Sequence, residues 1–235
     1  MLEIIPAIMP KKINDLESHV GLVKDHVATV QLDLMDGDFV SGVTWPYFSS
    51  APDGVPNDDY FQAIQNEEAG LPNWEEVDYE LDLMVRHPDK HIDQWVRMGP
   101  RRIIFHLESL HDPAKALQEL QSIREIIEIG LSFNNDFDVS ELARYVELID
   151  CVQVMGIAEI GKQGEPFDER ALGLIANIKK EYPDLPISVD GSVNTNTIQQ
   201  FADAGATRFV MGSAIFGSGV VKENIEQLRK MSYLC

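Results

Sequence analysis

The sequence is short of cysteine, of positive charge and of long hydrophobic runs. Its 235 residues include two cysteines, Cys151 and Cys235, which form no metal-binding or redox motif. We expect Cys151, which lies in an apolar run, to be a buried thiol, and we expect a cytoplasmic protein, because intracellular proteins rarely use disulfides. No apolar run is long enough to cross a bilayer, and the N-terminus lacks the basic leader typical of a secretory signal.

The shortage of positive charge restricts the ligands. Lysine and arginine number 19 against 39 aspartates and glutamates, for a formal net charge of −20. This imbalance opposes nucleic acid and anionic membranes, so we expect neither as a partner. It also opposes an anionic substrate at long range. A phosphate ligand would therefore need local backbone N–H groups, a helix N-terminus or a lysine.

Apolar strand-like runs alternate regularly with helix-like segments. The predicted strands are Glu3–Ile8, Thr29–Leu34, Val77–Met84, Arg102–Leu107, Ile129–Phe133, Cys151–Met155, Pro186–Asp190 and Thr207–Met211. The predicted helices between and after them are Ile13–Val27, Pro113–Glu128, Ser140–Leu148, Phe167–Tyr182, Thr195–Ala204 and Gly219–Met231. Eight such units favour an α/β fold of the TIM (β/α)₈ barrel type, with residues 1–235 as one domain. The alternative is an open doubly wound sheet, but no Gly-rich dinucleotide fingerprint follows an early strand.

A long connection at about residues 37–73 interrupts this rhythm after strand two. It is rich in proline, glycine, aspartate and asparagine, and only Asp58–Glu68 resembles a helix. Its aromatic residues are Trp45, Tyr47, Phe48 and Tyr60. Long loops of this kind are often functional. Two interpretations remain open: a surface segment packed on its own rings, or a lid over the mouth of the barrel.

Polar residues interrupt the strands near their C-terminal ends. In the segment VQLDLMDGDFV, Val30 to Val40, one face is apolar and the other presents Gln31, Asp33 and Met35. Because the strand ends of a barrel converge, these residues should meet Asp82, His106 and Asp190. Three carboxylates in one mouth repel one another, so either a cation lies among them or one of them holds a proton. Oxygen ligands favour a hard divalent ion.

Two Gly-Ser pairs predict an anion site in neighbouring loops. Gly212 and Ser213 follow strand eight and open a short helix, and Gly191 and Ser192 follow strand seven. Each pair alone is typical of a plain turn. Loops after strands seven and eight often bind phosphate in barrels of this type, and two such pairs together favour a phosphate ligand.

The chain resembles the ribulose-phosphate 3-epimerases along nearly its whole length. The resemblance rests on DLMDGDFV at Asp33–Val40, DLM at Asp82–Met84, FHLES at Phe105–Ser109, Met155 in VQVMG, VDGSV at Val189–Val193 and MGSAIFG at Met211–Gly217. It implies a barrel that interconverts D-ribulose 5-phosphate and D-xylulose 5-phosphate by inverting carbon 3 through an enediolate. By the same resemblance, Asp33 and Asp190 are the acid and base, and Met35, Met84 and Met155 form the wall of the site.

The departures from the family pattern concern the metal. The family holds its ion with two histidines and two aspartates, and the histidine positions are Gln31 and Asp82 here. The predicted ligands are therefore Gln31, Asp33, Asp82 and Asp190. Such a set should prefer Mg²⁺, Mn²⁺ or Ca²⁺ to Zn²⁺. The rival hypothesis is that the metal has been lost and that Arg86 or Lys162 compensates for its charge.

Other departures concern the substrate. Ala7 replaces a substrate-contacting serine, and with His106 it completes the predicted wall of the site. The loop after strand six is less glycine-rich than in the family and contributes Gly161, Lys162, Gln163 and Gly164 to the predicted phosphate and substrate contacts. Ser192 stands where the family has a glycine. The resemblance implies a sugar-phosphate substrate, either the ribulose and xylulose pair or a related compound.

Three functions remain open from the sequence. The first is an epimerase of a ketose phosphate. The second is a catalytically degenerate binding or regulatory protein on the same scaffold. The third is a sugar-phosphate decarboxylase or aldolase, but such relatives carry an Asp-x-Lys pair on strand three, and Asp82-Leu83-Met84 lacks the lysine. Barrels of this family commonly associate, so a homo-oligomer is left open.

Overall fold

Eight parallel strands close into a barrel in sequence order, from β1 next to β2 through to β8 next to β1. The computed structural model describes residues 2–48, 56, 58–162 and 164–232. The strands are β1 Glu3–Ile8, β2 Thr29–Met35, β3 Asp78–Met84, β4 Arg102–His106, β5 Glu128–Phe133, β6 Cys151–Met155, β7 Ile187–Asp190 and β8 Arg208–Met211. Each lies within one residue of its predicted bounds, and the (β/α)₈ barrel is confirmed.

The helices differ more from the prediction than the strands do. They are α1 Ile13–Val23, α2 Asp59–Gln65, α3 Ile92–Val96, α4 Pro113–Glu119, α5 Arg170–Glu181, α6 Ile198–Ala204, α7 Ser213–Phe216 and α8 Val221–Ser232. The predicted helix Ser140–Leu148 is wrong, because that segment forms 3₁₀ turns at Val139–Arg144 and Val146–Leu148. Helix α4 is about half its predicted length, although it begins as predicted, with Asp112 accepting a hydrogen bond from the Lys115 N–H and Pro113 in first position.

Alternation along β2 separates the helix-facing core from the barrel interior. Val30, Leu32 and Leu34 belong to the main hydrophobic core. The intervening residues Gln31 and Asp33 are buried on the other side of the strand, although they are polar. Because successive strand residues point to opposite faces, the barrel interior receives the polar half of this strand.

A buried ionic layer lies low in the barrel, near the N-terminal ends of the strands. Glu80 is fully buried and pairs with Arg102 at 2.8 Å and with Arg208. The two arginines also pair with Glu128 and Glu3, respectively. Burying a carboxylate is expensive unless cations accompany it, so the two arginines accompany Glu80 into the interior. This layer is separate from the polar residues near the C-terminal strand ends.

The connection between β2 and β3 combines both structures considered for it. Trp45 and Tyr47 are buried, and Trp45 donates a hydrogen bond to Asp58 at 2.8 Å and packs edge-on against Phe61. Phe48, by contrast, is 63% exposed. Other side chains of the same connection reach the barrel mouth, where Phe39 and Val40 pack with Met35 and Met84. Among its described residues, the connection is thus partly packed on its own rings and partly packed against Met35 and Met84, and none of them lines the cavity at the barrel mouth.

The remaining expectations concern cysteine and membranes. Cys151 is buried, and its burial raises the pKa of the thiol to about 11, so the predicted buried thiol is confirmed. Cys235 lies outside the described residues. Within the described ranges, every helix is too short or too polar to cross a membrane.

Candidate active site

Three carboxylates converge at the C-terminal end of the barrel. Asp33 on β2 lies in register with Asp82 on β3, and Asp190 is the last residue of β7. One oxygen from each of the three lies within 4.8 Å of the other two. Asp33 and Asp82 are buried and Asp190 is half-buried. The barrel therefore brings together the three acidic residues that the strand ends were expected to contribute.

Gln31 links the two aspartates that the sequence assigned as acid and base. Its Nε2 donates to Asp33 Oδ1 at 2.9 Å and to Asp190 Oδ2 at 3.0 Å. Gln31 is fully buried, and its Oε1 accepts no hydrogen bond from the residues that the structure describes. An unpaired buried carbonyl costs about 1–3 kcal/mol, and this oxygen keeps its lone pairs free on the same amide that contacts the two carboxylates.

Both carboxylate oxygens of Asp82 contact a neighbouring polar side chain. His106 Nε2 lies 2.8 Å from Asp82 Oδ1, and Gln153 Nε2 donates to Asp82 Oδ2 at 3.3 Å. His106 and Gln153 are buried on β4 and β6. The sequence predicted His106 at the site but not Gln153. The available signal for Gln153 was that it stands between Cys151 and Met155 on the inward face of an otherwise apolar strand.

The surroundings raise the pKa of Asp33, of Asp190 and of His106. Burial, followed by repulsion from Asp190 and Asp82, raises the pKa of Asp33 well above its ordinary value. Burial and Asp82 raise the pKa of Asp190 to about 7, although the hydrogen bond from Gln31 lowers it. Burial alone would lower the pKa of His106, but the charge and hydrogen bond of Asp82 outweigh it and raise the pKa. The two aspartates therefore interact strongly and titrate as a pair.

The donor set suits a hard divalent cation. The three carboxylates and the unpaired Oε1 of Gln31 all offer oxygen atoms as metal ligands, and Mg²⁺, Mn²⁺ and Ca²⁺ prefer oxygen ligands. The cations of the rival hypothesis are engaged elsewhere: Arg86 pairs with Asp38 at 3.0 Å, and Lys162 pairs with Glu159 at 2.6 Å. In the described structure these two cations therefore neutralise carboxylates of nearby loops.

A cavity of about 320 Å³ opens above the carboxylates. Predicted site residues that line it are Ala7, Asp33, Met84, Met155, Gly161, Lys162, Gly164, Asp190, Gly191, Ser192, Gly212 and Ser213. Gln31, Asp82, Met35 and His106 do not line it, and Gln163 lies outside the described residues. The sequence missed Met9, Ile157, Glu165, Val193, Asn194, Val210, Met211 and Ala214, which also line it. The volume is at the lower end of the roughly 300–1,000 Å³ typical of small-molecule sites.

The loops after β7 and β8 form one side of this cavity. Gly191 and Ser192 have φ angles of 92° and 52°, in the left-handed region. The Ser192 hydroxyl donates a hydrogen bond to the Glu165 carbonyl at 2.8 Å, which helps to hold Ser192 in this left-handed conformation. After β8, Gly212 caps α7, and the first N–H groups of a helix have no partner within it. Backbone N–H groups of residues 212–214 are therefore available to an anion in the cavity.

The predicted wall of the site divides into two layers. Met84 and Met155 face the cavity, whereas Met35 packs behind them with Val40. Gly161 is adjacent to Val40, since a Cβ at Gly161 would approach Val40 Cβ within 2.8 Å. The loop after β6 thus lies directly against the loop after β2 beside the cavity.

Together, the fold and the site define a TIM barrel with an acidic cluster beneath a small-molecule cavity at the C-terminal ends of its strands. The ribulose-phosphate 3-epimerase family profile matches residues 59–216. The chain belongs to this family.

Two curated relatives extend the match over nearly the whole chain. The ribulose-phosphate 3-epimerase of Schizosaccharomyces pombe is 28% identical, covering 97% of this chain and 92% of the relative. The cytoplasmic isoform of ribulose-phosphate 3-epimerase from Oryza sativa subsp. japonica is 29% identical, covering 97% and 93%. These similarities indicate an enzyme of the ribulose-phosphate 3-epimerase type.

A solved structure shows the same fold at low sequence identity. The 3-keto-L-gulonate-6-phosphate decarboxylase of Vibrio cholerae superimposes with a TM-score of 0.68 at 12% identity, covering 98% of this chain and 97% of that one. At this identity the similarity shows the shared barrel and leaves the chemistry to the residues of the site.

Proposed function

We propose that this protein inverts carbon 3 of a ketose phosphate, D-ribulose 5-phosphate and D-xylulose 5-phosphate being the first candidates. One observation carries the proposal: a single cavity is lined both by Asp33 and Asp190 and by the loops Gly191–Ser192 and Gly212–Ser213. In a pentulose 5-phosphate the reacting carbon 3 lies two bonds from carbon 5, which carries the phosphate dianion. The same cavity offers an acid–base pair and two Gly-Ser loops whose backbone N–H groups could receive that dianion.

Asp33 and Asp190 are the proposed acid and base. Inversion at a carbon next to a carbonyl requires one group to remove a proton and a second to return one to the opposite face. This requires one carboxylate and one carboxylic acid at the same time. In the cluster without a cation, burial and neighbouring carboxylates raise the pKa of both aspartates, which favours a proton on one of them.

Gln31 would keep the two carboxyl groups in place through the reaction. Its Nε2 bonds to one oxygen of each. An N–H donor can serve a carboxylate or the carbonyl oxygen of a carboxylic acid, so these bonds would survive the transfer of a proton from one aspartate to the other.

A divalent ion is part of the proposal, with Mg²⁺, Mn²⁺ or Ca²⁺ favoured over Zn²⁺. Asp33, Asp82 and Asp190 would hold it, with the carbonyl oxygen of Gln31 as the fourth ligand. When bound, it would stabilise negative charge on the enediolate oxygens as a Lewis acid. The methionines Met84 and Met155 would exclude water from the reacting carbon without offering hydrogen-bond donors.

The phosphate would lie against the loops after β7 and β8. The described residues that line the cavity include one basic side chain, Lys162, and it already pairs with Glu159. Phosphate binding would therefore rest mainly on backbone N–H groups. The net charge of −20 supports our further proposal that neither nucleic acid nor an anionic membrane is a partner. We also propose a cytoplasmic protein, because Cys151 is a buried free thiol and the sequence shows no disulfide framework.

Deuterium exchange tests the reaction directly. The protein is incubated with D-ribulose 5-phosphate in deuterated water with Mn²⁺, Mg²⁺ or Ca²⁺, and NMR follows deuterium at carbon 3. We expect exchange and the appearance of D-xylulose 5-phosphate, with both lost in Asp33→Asn. Absence of exchange with every ion would contradict the proposal. Binding of the sugar phosphate without exchange would favour the degenerate binding protein instead.

A further inference from the structure

The residue on β6 that faces Asp82 has no assigned role. Gln153 is fully buried in the barrel interior, and its amide contacts the carboxylate at the position where the family has its second metal-binding histidine. Its neighbours on the same face are Cys151, beside the buried ionic layer, and Met155, which lines the cavity. Gln153 therefore lies between the buried ionic layer and the cavity.

The contacts of Gln153 fix the orientation of its amide. Nε2 donates to Asp82 Oδ2 at 3.3 Å, while Oε1 is buried without a donor. Reversing the amide would place Oε1 against the carboxylate oxygen, which is repulsive. The observed orientation leaves one unpaired carbonyl, which costs about 1–3 kcal/mol. An apolar side chain of similar size would avoid this cost, so the contact with Asp82 must compensate for it.

Asp82 needs such support more than a histidine would. A carboxylate can rotate about its last bond and present either oxygen, or both, to a cation. Here His106 holds Oδ1 at 2.8 Å and Gln153 holds Oδ2, from β4 and β6. These two contacts define the plane of the carboxylate. An oxygen of the carboxylate held in this way lies within 4.8 Å of oxygens from Asp33 and Asp190.

We propose that Gln153 is a positioning residue that, together with His106, orients the Asp82 carboxylate for binding a divalent cation. The inference rests on the proposed metal-dependent function. It explains how a carboxylate can replace an imidazole at this position: the amide and the imidazole restrict its rotation from two neighbouring directions. Partners of metal ligands at this distance typically change metal affinity by about 10–100-fold when removed.

Manganese binding tests this role without reference to turnover. Free Mn²⁺ is measured by electron paramagnetic resonance during titration of the whole protein. We expect Gln153→Met, which keeps the length of the side chain but has no N–H, to weaken Mn²⁺ binding by about 10–100-fold. Ser132→Ala is the matched control, because Ser132 lies in register with Gln153 on β5 and its hydroxyl donates to Met155 Sδ, at 3.5 Å, rather than to a carboxylate of the cluster. The control should bind Mn²⁺ as the unmodified protein does.

A double-variant cycle separates positioning from general packing. If Gln153 acts through Asp82, then Asp82→Asn combined with Gln153→Met should bind Mn²⁺ no more weakly than Asp82→Asn alone. Additive losses would overturn the inference in favour of a packing role. Gln153→Leu repeats the cycle if the methionine variant unfolds, as judged by circular dichroism.

The outcomes distinguish this inference from the proposed function. Unchanged Mn²⁺ affinity in Gln153→Met, with tight binding in the unmodified protein, overturns the role of Gln153 and leaves the metal-dependent function standing. No Mn²⁺ binding in the unmodified protein overturns the inference about Gln153, whereas the proposed function is overturned only by absence of exchange with every ion.

Discussion

We predict that the buried ionic layer contributes strongly to stability and that this contribution depends on pH. The variant Arg208→Met tests both parts of the prediction. Arg208 donates to Glu80, to Glu3 and, at 2.9 Å, to the Ser188 hydroxyl. Glu80 is fully buried and would keep only Arg102 as a cationic partner in the variant. Breaking a buried ion pair by removing one partner costs about 3–5 kcal/mol, and we expect a loss of this size near neutral pH.

Acidification should reduce that loss. Burial raises the pKa of Glu80, while Arg208 and then Arg102 lower it, and nearby Glu3 raises it; the net shift is upward. Removing Arg208 removes the largest opposing influence, so the pKa of Glu80 rises further. A carboxyl with a higher pKa in the folded state than in the unfolded state binds protons preferentially when folded. The variant therefore regains stability as the pH falls towards the pKa of Glu80 in the folded variant.

Urea unfolding at about pH 8 and about pH 5.5 measures both effects. Arg101→Met is the matched control, since Arg101 adjoins the same layer but its side chain is 58% exposed in pairs with Asp78 and Glu128. Exposed pairs contribute at most about 1 kcal/mol. A loss in Arg208→Met no larger than in the control, or one that does not shrink on acidification, would refute the reasoning.

Three further predictions concern the site. Asp33→Asn and Asp190→Asn should each lower kcat for epimerisation by about 10²–10⁴-fold with an unchanged circular dichroism spectrum; full activity in either variant would remove that residue from the acid–base pair. Gln31→His replaces an amide oxygen with an imidazole nitrogen, so the preference for Zn²⁺ over Mn²⁺ should rise by about tenfold in competitive metal titration. Gly191→Ala should lower the free energy of unfolding by about 1–3 kcal/mol, because φ is 92° and the new Cβ would lie 2.8 Å from the Ile157 side chain. Gly173→Ala, on α5 with open space around it, is the control and should not destabilise the protein.

The strands could be predicted because each has one face towards the helices and one towards the barrel interior, which leaves a recognisable pattern of side chains in the sequence. In β2 the apolar residues Val30, Leu32 and Leu34 face the helices, and the residues between them face the barrel interior. The convergence of Asp33, Asp82 and Asp190 followed from topology, because the C-terminal strand ends of a closed barrel share one mouth. Identifying the strand ends was sufficient to place these three side chains together.

The helices after β4 and β5 could not be predicted in the same way. Their apolar spacing is compatible with an α-helix, but the chain forms short α and 3₁₀ segments there. Arg124 donates to the carbonyls of Glu147 and Ile149 at 2.6 and 2.7 Å and to Asp150 at 3.0 Å. These tertiary bonds tie the two irregular segments together across more than twenty residues of sequence, beyond the reach of a local pattern.

Our proposal gives Gln31 and Asp82 the place of the two missing histidines. Both substitutions fall on inward positions of neighbouring strands, and both residues contact the acidic cluster or belong to it. A position released from metal binding could accept an apolar residue, which would be cheaper to bury than an amide with an unpaired oxygen or a third carboxylate. The barrel instead keeps oxygen donors at both positions and supports Asp82 with two further polar side chains. The cost of burying these polar groups supports our proposal of a cation site that prefers oxygen-binding ions.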